Sequence, residues 1–186
     1  MAKIFIDVGA SDGGTLQRGL KRFPDFDSYY GFEPSPYFIP ILLERFKDNP
    51  KVHIVDKGAD IENKASVKLY LPALVDERPH YNASGSMFDT KYNISKEHFV
   101  LISTIDFPKF VVDNFNVNDY IVLKMNAEGI EYPIFEGMIR NKTMSYFKVV
   151  YCEFHCTKIS YPEDKHKRVV RRIRRLGISF YNIRLL

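Results

Sequence analysis

Short apolar runs at 3–8, 28–33 and 52–56 alternate with stretches at 13–23 and 36–47 in which apolar residues recur every three or four positions. The short runs read as buried strands and the longer stretches as amphipathic helices packing on them. Pro24 closes the first helical stretch, and Pro34 and Pro36 introduce the second, since proline ends helices and suits their first turn. A hairpin-like strand at 65–71 follows. Further on come a strand at 99–105, a short helix at 106–115, a strand at 120–125, a helix at 133–141 and a strand at 147–154. A helix at 164–176 and a last strand at 179–185, beyond Gly177, end the order. This alternation predicts an α/β fold with a mostly parallel central sheet and helices on both faces. Residues 72–98 break the rhythm: Pro72, Pro79, Gly85 and many polar side chains follow no period, and so long an aperiodic stretch is expected to be an inserted lid or substrate loop.

The chain has 186 residues, 45% of them hydrophobic, which suits one domain over 1–186 with one substantial core. No apolar run approaches the roughly 20 residues that span a bilayer, so no transmembrane segment is expected. Met1-Ala2-Lys3 leads into the first strand rather than into a signal peptide, and the expected location is cytoplasmic. Cys152 and Cys156 lie about 13 Å apart on an extended chain, too far for a disulfide. The net charge of +4 is uneven: residues 164–186 hold eight Lys or Arg and one acid, net +7, leaving −3 for the rest. Within 164–176, Val169, Val170, Ile173 and Leu176 fall at helical spacing opposite a dense cationic face. Such a basic amphipathic helix could meet nucleic acid, an anionic membrane or an acidic partner; a solvated helix packed on the sheet is the plain alternative.

Two apolar runs stop at polar residues and turn on glycine, at Asp7-Val-Gly9-Ala10-Ser11-Asp-Gly13 and at Lys124-Met-Asn126-Ala-Glu128-Gly-Ile-Glu131. At the carboxyl ends of parallel strands, where open α/β sheets bind ligands, such turns point to a nucleotide-like ligand. Gly9 and Gly14 have Walker spacing, but Thr15 and Leu16 follow where a phosphate-binding Lys is needed. The dinucleotide pattern is also missing, because Ala10 and Ser11 follow Gly9. Glu33 ends the next strand about 20 residues on, where a carboxylate commonly takes ribose hydroxyls. A ligand with ribose but no phosphate fits, and S-adenosylmethionine is the common one.

In order, the segments Asp7–Gly13, Gly31-Phe-Glu33-Pro34, Ser84-Gly-Ser86, Thr104-Ile-Asp106 and Lys124–Glu131 resemble the FkbM-type family of class I S-adenosylmethionine-dependent methyltransferases. The resemblance runs from about Lys3 to about His155 and implies a single-domain Rossmann-like fold. It also implies an antiparallel strand at the sheet's C-terminal edge, which the last helix and strand would supply. The implied cofactor site comprises Asp7, Gly9, Ala10, Ser11 and Gly13 along the methionine part, Glu33 and Pro34 at the ribose, Gly58 and Ala59 at the adenine, and Asn126. Asp60 and Asp56 compete as acceptors for the adenine amine. Ser84 and Ser86 fall to the acceptor. The family usually has Asp where this chain has Asn126.

Lys124 sits inside an apolar strand, and a buried ammonium needs a partner, expected in Glu128 or Glu131. The ion pair would be structural or catalytic. Asn126 and Glu128 could orient an acceptor hydroxyl. His155, at the end of a neighbouring strand, suits a general base at neutral pH, with Glu153 on its face; a histidine capping the strand is the alternative. His53, His80, His98 and His166 are scattered without metal-ligand spacing, so no metal is expected. The functional expectation is O-methylation of a hydroxyl on a sugar or other small acceptor. Alternatives are a nicotinamide-dependent oxidoreductase, or a non-catalytic module binding nucleic acid through its basic helix.

Overall fold

The computed structural model describes residues 1–72 and 84–186. β1 (Lys3–Val8), α1 (Gly14–Arg22), β2 (Ser28–Phe32), α2 (Ile39–Phe46) and β3 (Val52–Val55) alternate as the periodicity predicts. β4 (Gly58–Asp60), β5 (Lys64–Pro72) and β6 (Ile94–Asp106) follow. α3 (Phe107–Asn114), β7 (Tyr120–Met125), α4 (Glu131–Arg140), β8 (Phe147–Cys152), α5 (Glu163–Arg175) and β9 (Ser179–Asn182) complete the main elements.

Six strands form one sheet in the order β3-β2-β1-β7-β8-β9, with every neighbouring pair parallel. Strand order reverses between β1 and β7, so their carboxyl ends open a crevice where open α/β sheets bind ligands. Side-chain alternation on these two strands divides the core. Ile4, Ile6 and Val8 of β1 and Ile121, Leu123 and Met125 of β7 pack on one face with α3 and α4. Phe5 and Val122 point to the other, against Leu16 and Leu42 of α1 and α2. A second sheet, in the order β4-β6-β5, pairs β4 with β6 in parallel and β5 with β6 antiparallel.

Three expectations are corrected. β9 pairs parallel with β8, not antiparallel: α5 is a crossover that returns the chain to the end at which β8 began. Ile94–His98 belongs to the 13-residue β6 rather than to a loop. That end of β6 is exposed, so backbone pairing with β5 holds it and no hydrophobic period announces it. α2 begins at Ile39 with Pro40 in its first turn, leaving 36–38 outside the helix. Of the expected lid, 73–83 lie outside the described residues. Ser86 pairs by both backbone groups with Tyr70 of β5. Among the described residues no helix is long and apolar enough to cross a membrane.

Candidate active site

The register of β1 and β7 sets Asp7 beside Lys124. Both are fully buried, and Lys124 Nζ stands 2.7 Å from Asp7 Oδ1 in an ion pair. Lys124 Nζ also donates to the Gly9 carbonyl at 2.7 Å, fastening the turn that follows β1. Burial pushes the Asp7 carboxyl above its usual range, with the Lys124 ammonium opposing. The expected partners Glu128 and Glu131 are engaged elsewhere, and Asp7 lies behind the ligand cavity rather than on its wall.

Gly9 has φ of 77°, and a Cβ there would come within 1.9 Å of the Asn126 carbonyl oxygen, so the closeness of the two turns requires glycine. Five amides of the turn are already committed. Gly9 and Ala10 donate to the Phe32 carbonyl, Ser11 to Glu33 Oε2 at 2.8 Å, Gly13 to the Ala10 carbonyl and Gly14 to Asp12 Oδ1. Gly13, at the start of α1, packs against Leu42 and Phe46 and does not line the cavity.

A cavity of about 270 Å³ opens at the carboxyl ends of β1, β2 and β7. Its walls include Gly9, Ala10, Ser11, Glu33, Pro34, Gly58, Ala59, Lys124, Asn126 and Glu128. Phe38, Leu69, Met87 and Ile130 add an apolar side that the sequence did not reveal. Glu33 is nearly buried, and its second oxygen accepts from the Ser35 amide at 2.9 Å. Burial raises the Glu33 pKa, against the lowering effect of the Ser35 and Ser11 amides. Asn126 Oδ1 is buried without a hydrogen-bond partner.

Glu128 adjoins a buried chain of polar groups. Its Oε2 pairs with Lys91 Nζ at 2.7 Å, and its Oε1 lies 3.5 Å from His155 Nε2. His155 Nδ1 faces Glu131 Oε1 at 2.8 Å, the same oxygen accepts the His155 amide at 2.9 Å, and Glu131 Oε2 accepts the Gly129 amide at 2.8 Å. Nδ1 thus donates to Glu131, and Nε2, which has no hydrogen-bond partner, is turned towards Glu128. His155 is buried and does not line the cavity; Glu128 does. Glu131, not Glu153, orients the imidazole.

Ser86 is buried: its hydroxyl donates to the Glu128 carbonyl at 2.8 Å and accepts from the Phe88 amide at 3.1 Å. The Ser84 carbonyl accepts from Lys91 Nζ. Neither serine lines the cavity, whereas Gly85 does. Glu128 itself adopts a left-handed φ of 51°, and Ser86 and Lys91 clamp its backbone and its carboxylate. Lys91 is the residue that sequence reasoning missed. Burial lowers its pKa, and Glu128 raises it in part. It stands in the aperiodic stretch, where only the need of Glu128 for a counter-ion could have singled it out. Asp60 pairs with Lys64 at 2.9 Å and does not line the cavity. Cys152 and Cys156 are free thiols. Among the described residues no three His, Cys, Asp or Glu side chains are placed to hold a metal.

A comparison of the sequence with curated proteins finds no match. Among solved structures, the chain is similar to the crystal structure of methyltransferase FkbM from Methylobacillus flagellatus KT, with a TM-score of 0.54 and 16% identity. The similarity covers 96% of this chain and 38% of that one, so the chain spans under two fifths of that protein's length. At such identity the likeness concerns the fold. Residues 7–180 match the family described as the methyltransferase FkbM domain, which is nearly the whole chain. The chain therefore belongs to the FkbM methyltransferase family.

Proposed function

We propose that this chain is an S-adenosylmethionine-dependent methyltransferase acting on a hydroxyl oxygen of a sugar or other small polyol. The observation that carries this reading is the turn after β1, whose amides at Gly9, Ala10, Ser11, Gly13 and Gly14 are all bonded inside the protein. A pyrophosphate would need such amides free, which disfavours a nicotinamide cofactor. The remaining groups suit S-adenosylmethionine. Each Glu33 oxygen keeps a lone pair for a ribose hydroxyl after accepting its backbone amide. The apolar side formed by Phe38, Leu69, Met87 and Ile130 suits an adenine ring beside Gly58 and Ala59, and the unpartnered Asn126 Oδ1 suits an ammonium.

When bound, the cofactor supplies a methyl group on a positively charged sulfur, already activated for in-line transfer. The protein is left with positioning the acceptor and removing its proton. Glu128, on the cavity wall, accepts the hydrogen bond of the acceptor hydroxyl and takes its proton as it leaves, with the His155 imidazole behind it steadying the carboxylate. Glu131 fixes the imidazole, and Lys91 fixes the carboxylate. Lys124 and Asp7 hold the glycine turn rather than touch the acceptor.

Calorimetry with S-adenosylmethionine and its demethylated product tests the cofactor. Both should bind, and NAD should not. Glu33→Ala should weaken binding by well over tenfold, because two charge-assisted hydrogen bonds of about 1.5–3 kcal/mol each are lost. Unchanged affinity in the folded variant would sink the ribose assignment.

A further inference from the structure

Two more clefts extend the cavity across the carboxyl edge of the sheet. The first, of about 440 Å³, is lined by Arg18, Glu153 and Arg184 and shares Thr15 and Asn126 with the cavity. The second, of about 480 Å³, shares Glu153 and Arg184 with the first and continues to His166, Val170 and Arg174. The last three, four residues apart in turn, are one face of α5. Shared walls thus join the cavity to the basic helix in one trough.

The trough carries cations without counter-ions. Among the described residues none of Arg18, Arg174 or Arg184 makes an ion pair; Arg18 has the Thr15 hydroxyl at 3.2 Å, and nearby Asp7 is held by Lys124. Guanidinium forks of this kind match carboxylates and phosphates alike. Glu153, which lines both clefts and has no ion-pair partner among the described residues, repels charge but accepts hydroxyls. Anionic groups spaced between hydroxyls would match the trough's arginines and Glu153 along its length.

We propose that the acceptor is an acidic oligosaccharide, a chain of carboxylate-bearing sugars that runs from the methyl-transfer cavity past Arg18 and Arg184 to Arg174 on α5. This deepens the function proposed above and rests on it for the word acceptor. The binding itself is measured without cofactor, so the two readings fail separately: absent S-adenosylhomocysteine binding defeats the methyltransferase reading, whereas absent oligosaccharide binding defeats this one.

The probes are a galacturonate tetramer, a neutral galactose tetramer and a tetraribonucleotide, each carrying a fluorophore, with anisotropy read at low salt. The acidic tetramer should bind at least about tenfold more tightly than the neutral one, the worth of a charge-assisted contact. Arg184→Gln and Arg174→Gln should each erase most of that preference, while the double variant Arg171→Gln/Arg172→Gln, whose side chains lie on α5 outside the trough, should keep it. S-adenosylhomocysteine affinity should stay unchanged in Arg18→Gln and Arg184→Gln. Equal binding of the two sugar tetramers overturns the proposal, as does equal loss in the Arg171/Arg172 variant, which would indicate diffuse surface charge. Tighter binding of the ribonucleotide overturns the choice of a sugar. Weakened S-adenosylhomocysteine binding in the Arg18 or Arg184 variant would assign the guanidinium to the cofactor's own carboxylate and overturn it too.

Discussion

Lys124 and Asp7 owe their contact to register alone, since β1 and β7 bring them side by side inside an apolar core. Lys124→Met leaves a buried carboxylate without its counter-charge, a loss of about 3–5 kcal/mol. In urea unfolding the double variant Asp7→Asn/Lys124→Met should lose clearly less than the single one, because no unpaired charge remains. An equal or larger loss would show that the ion pair contributes more than apolar replacement can. Glu33 gives a second test at this scale. Its folded pKa is raised by burial, so its charge, on which the proposed ribose bonds depend, is present above that value and lost as pH falls through it. S-adenosylmethionine affinity should therefore begin to fall at a higher pH than the ordinary glutamate value of 4.5 would give. Glu33→Gln should bind weakly at all pH values, with that limb gone. Calorimetry across acidic pH reads both outcomes.

At the scale of elements, α5 is anchored by Val169 and Ile173, which are buried, and by His166, whose Nδ1 lies 2.9 Å from the Tyr132 hydroxyl. Burial lowers the His166 pKa below 6.5, with Glu163 raising it and Lys167 lowering it further. The unfolded chain then takes up a proton, as pH drops through 6.5, that the folded chain refuses until its lower pKa is reached. Stability should fall over that window, and His166→Gln should flatten the fall. Urea midpoints at about pH 7.5 and pH 5.5 measure it, as the difference between native and variant proteins. Order and type of the elements were legible wherever a short apolar run stood out, as in β1 and β7, or a period near 3.6 residues was sustained, as in α1 and α5. The direction of β9 was not: four mostly exposed residues carry no sign of which way they pair, and only the crossover through α5 decides it. The outer half of β6 was hidden for a similar reason, its side chains at Lys96–Phe99 being exposed.

For the whole molecule, the candidate site joins three distant pieces of chain: the turn from β7 into α4 with Glu128 and Glu131, the segment just beyond β8 at His155, and the segment holding Lys91. The glycine turns and carboxylates were visible in sequence, because turn chemistry is local. Pairings were not, because Lys91 and Glu131 meet their partners through topology rather than spacing. Under the function proposed above, the contacts Lys91–Glu128–His155–Glu131 should make these residues act as one unit in proton removal. Glu128→Gln should lower the methylation rate by about 10²–10⁴, the usual worth of a positioned base. His155→Asn leaves the cavity wall in place and should lower it less, with S-adenosylmethionine affinity within about twofold of native in both, less than 0.5 kcal/mol. The double variant should be no slower than Glu128→Gln alone, since residues that act through one another are not additive. Single-turnover transfer of labelled methyl, to whichever sugar in a panel the native protein methylates, measures all three rates. Multiplying effects in the double variant would mean that His155 and Glu128 act separately, and the imidazole would then need its own path to the acceptor, one that its burial behind Glu128 does not provide.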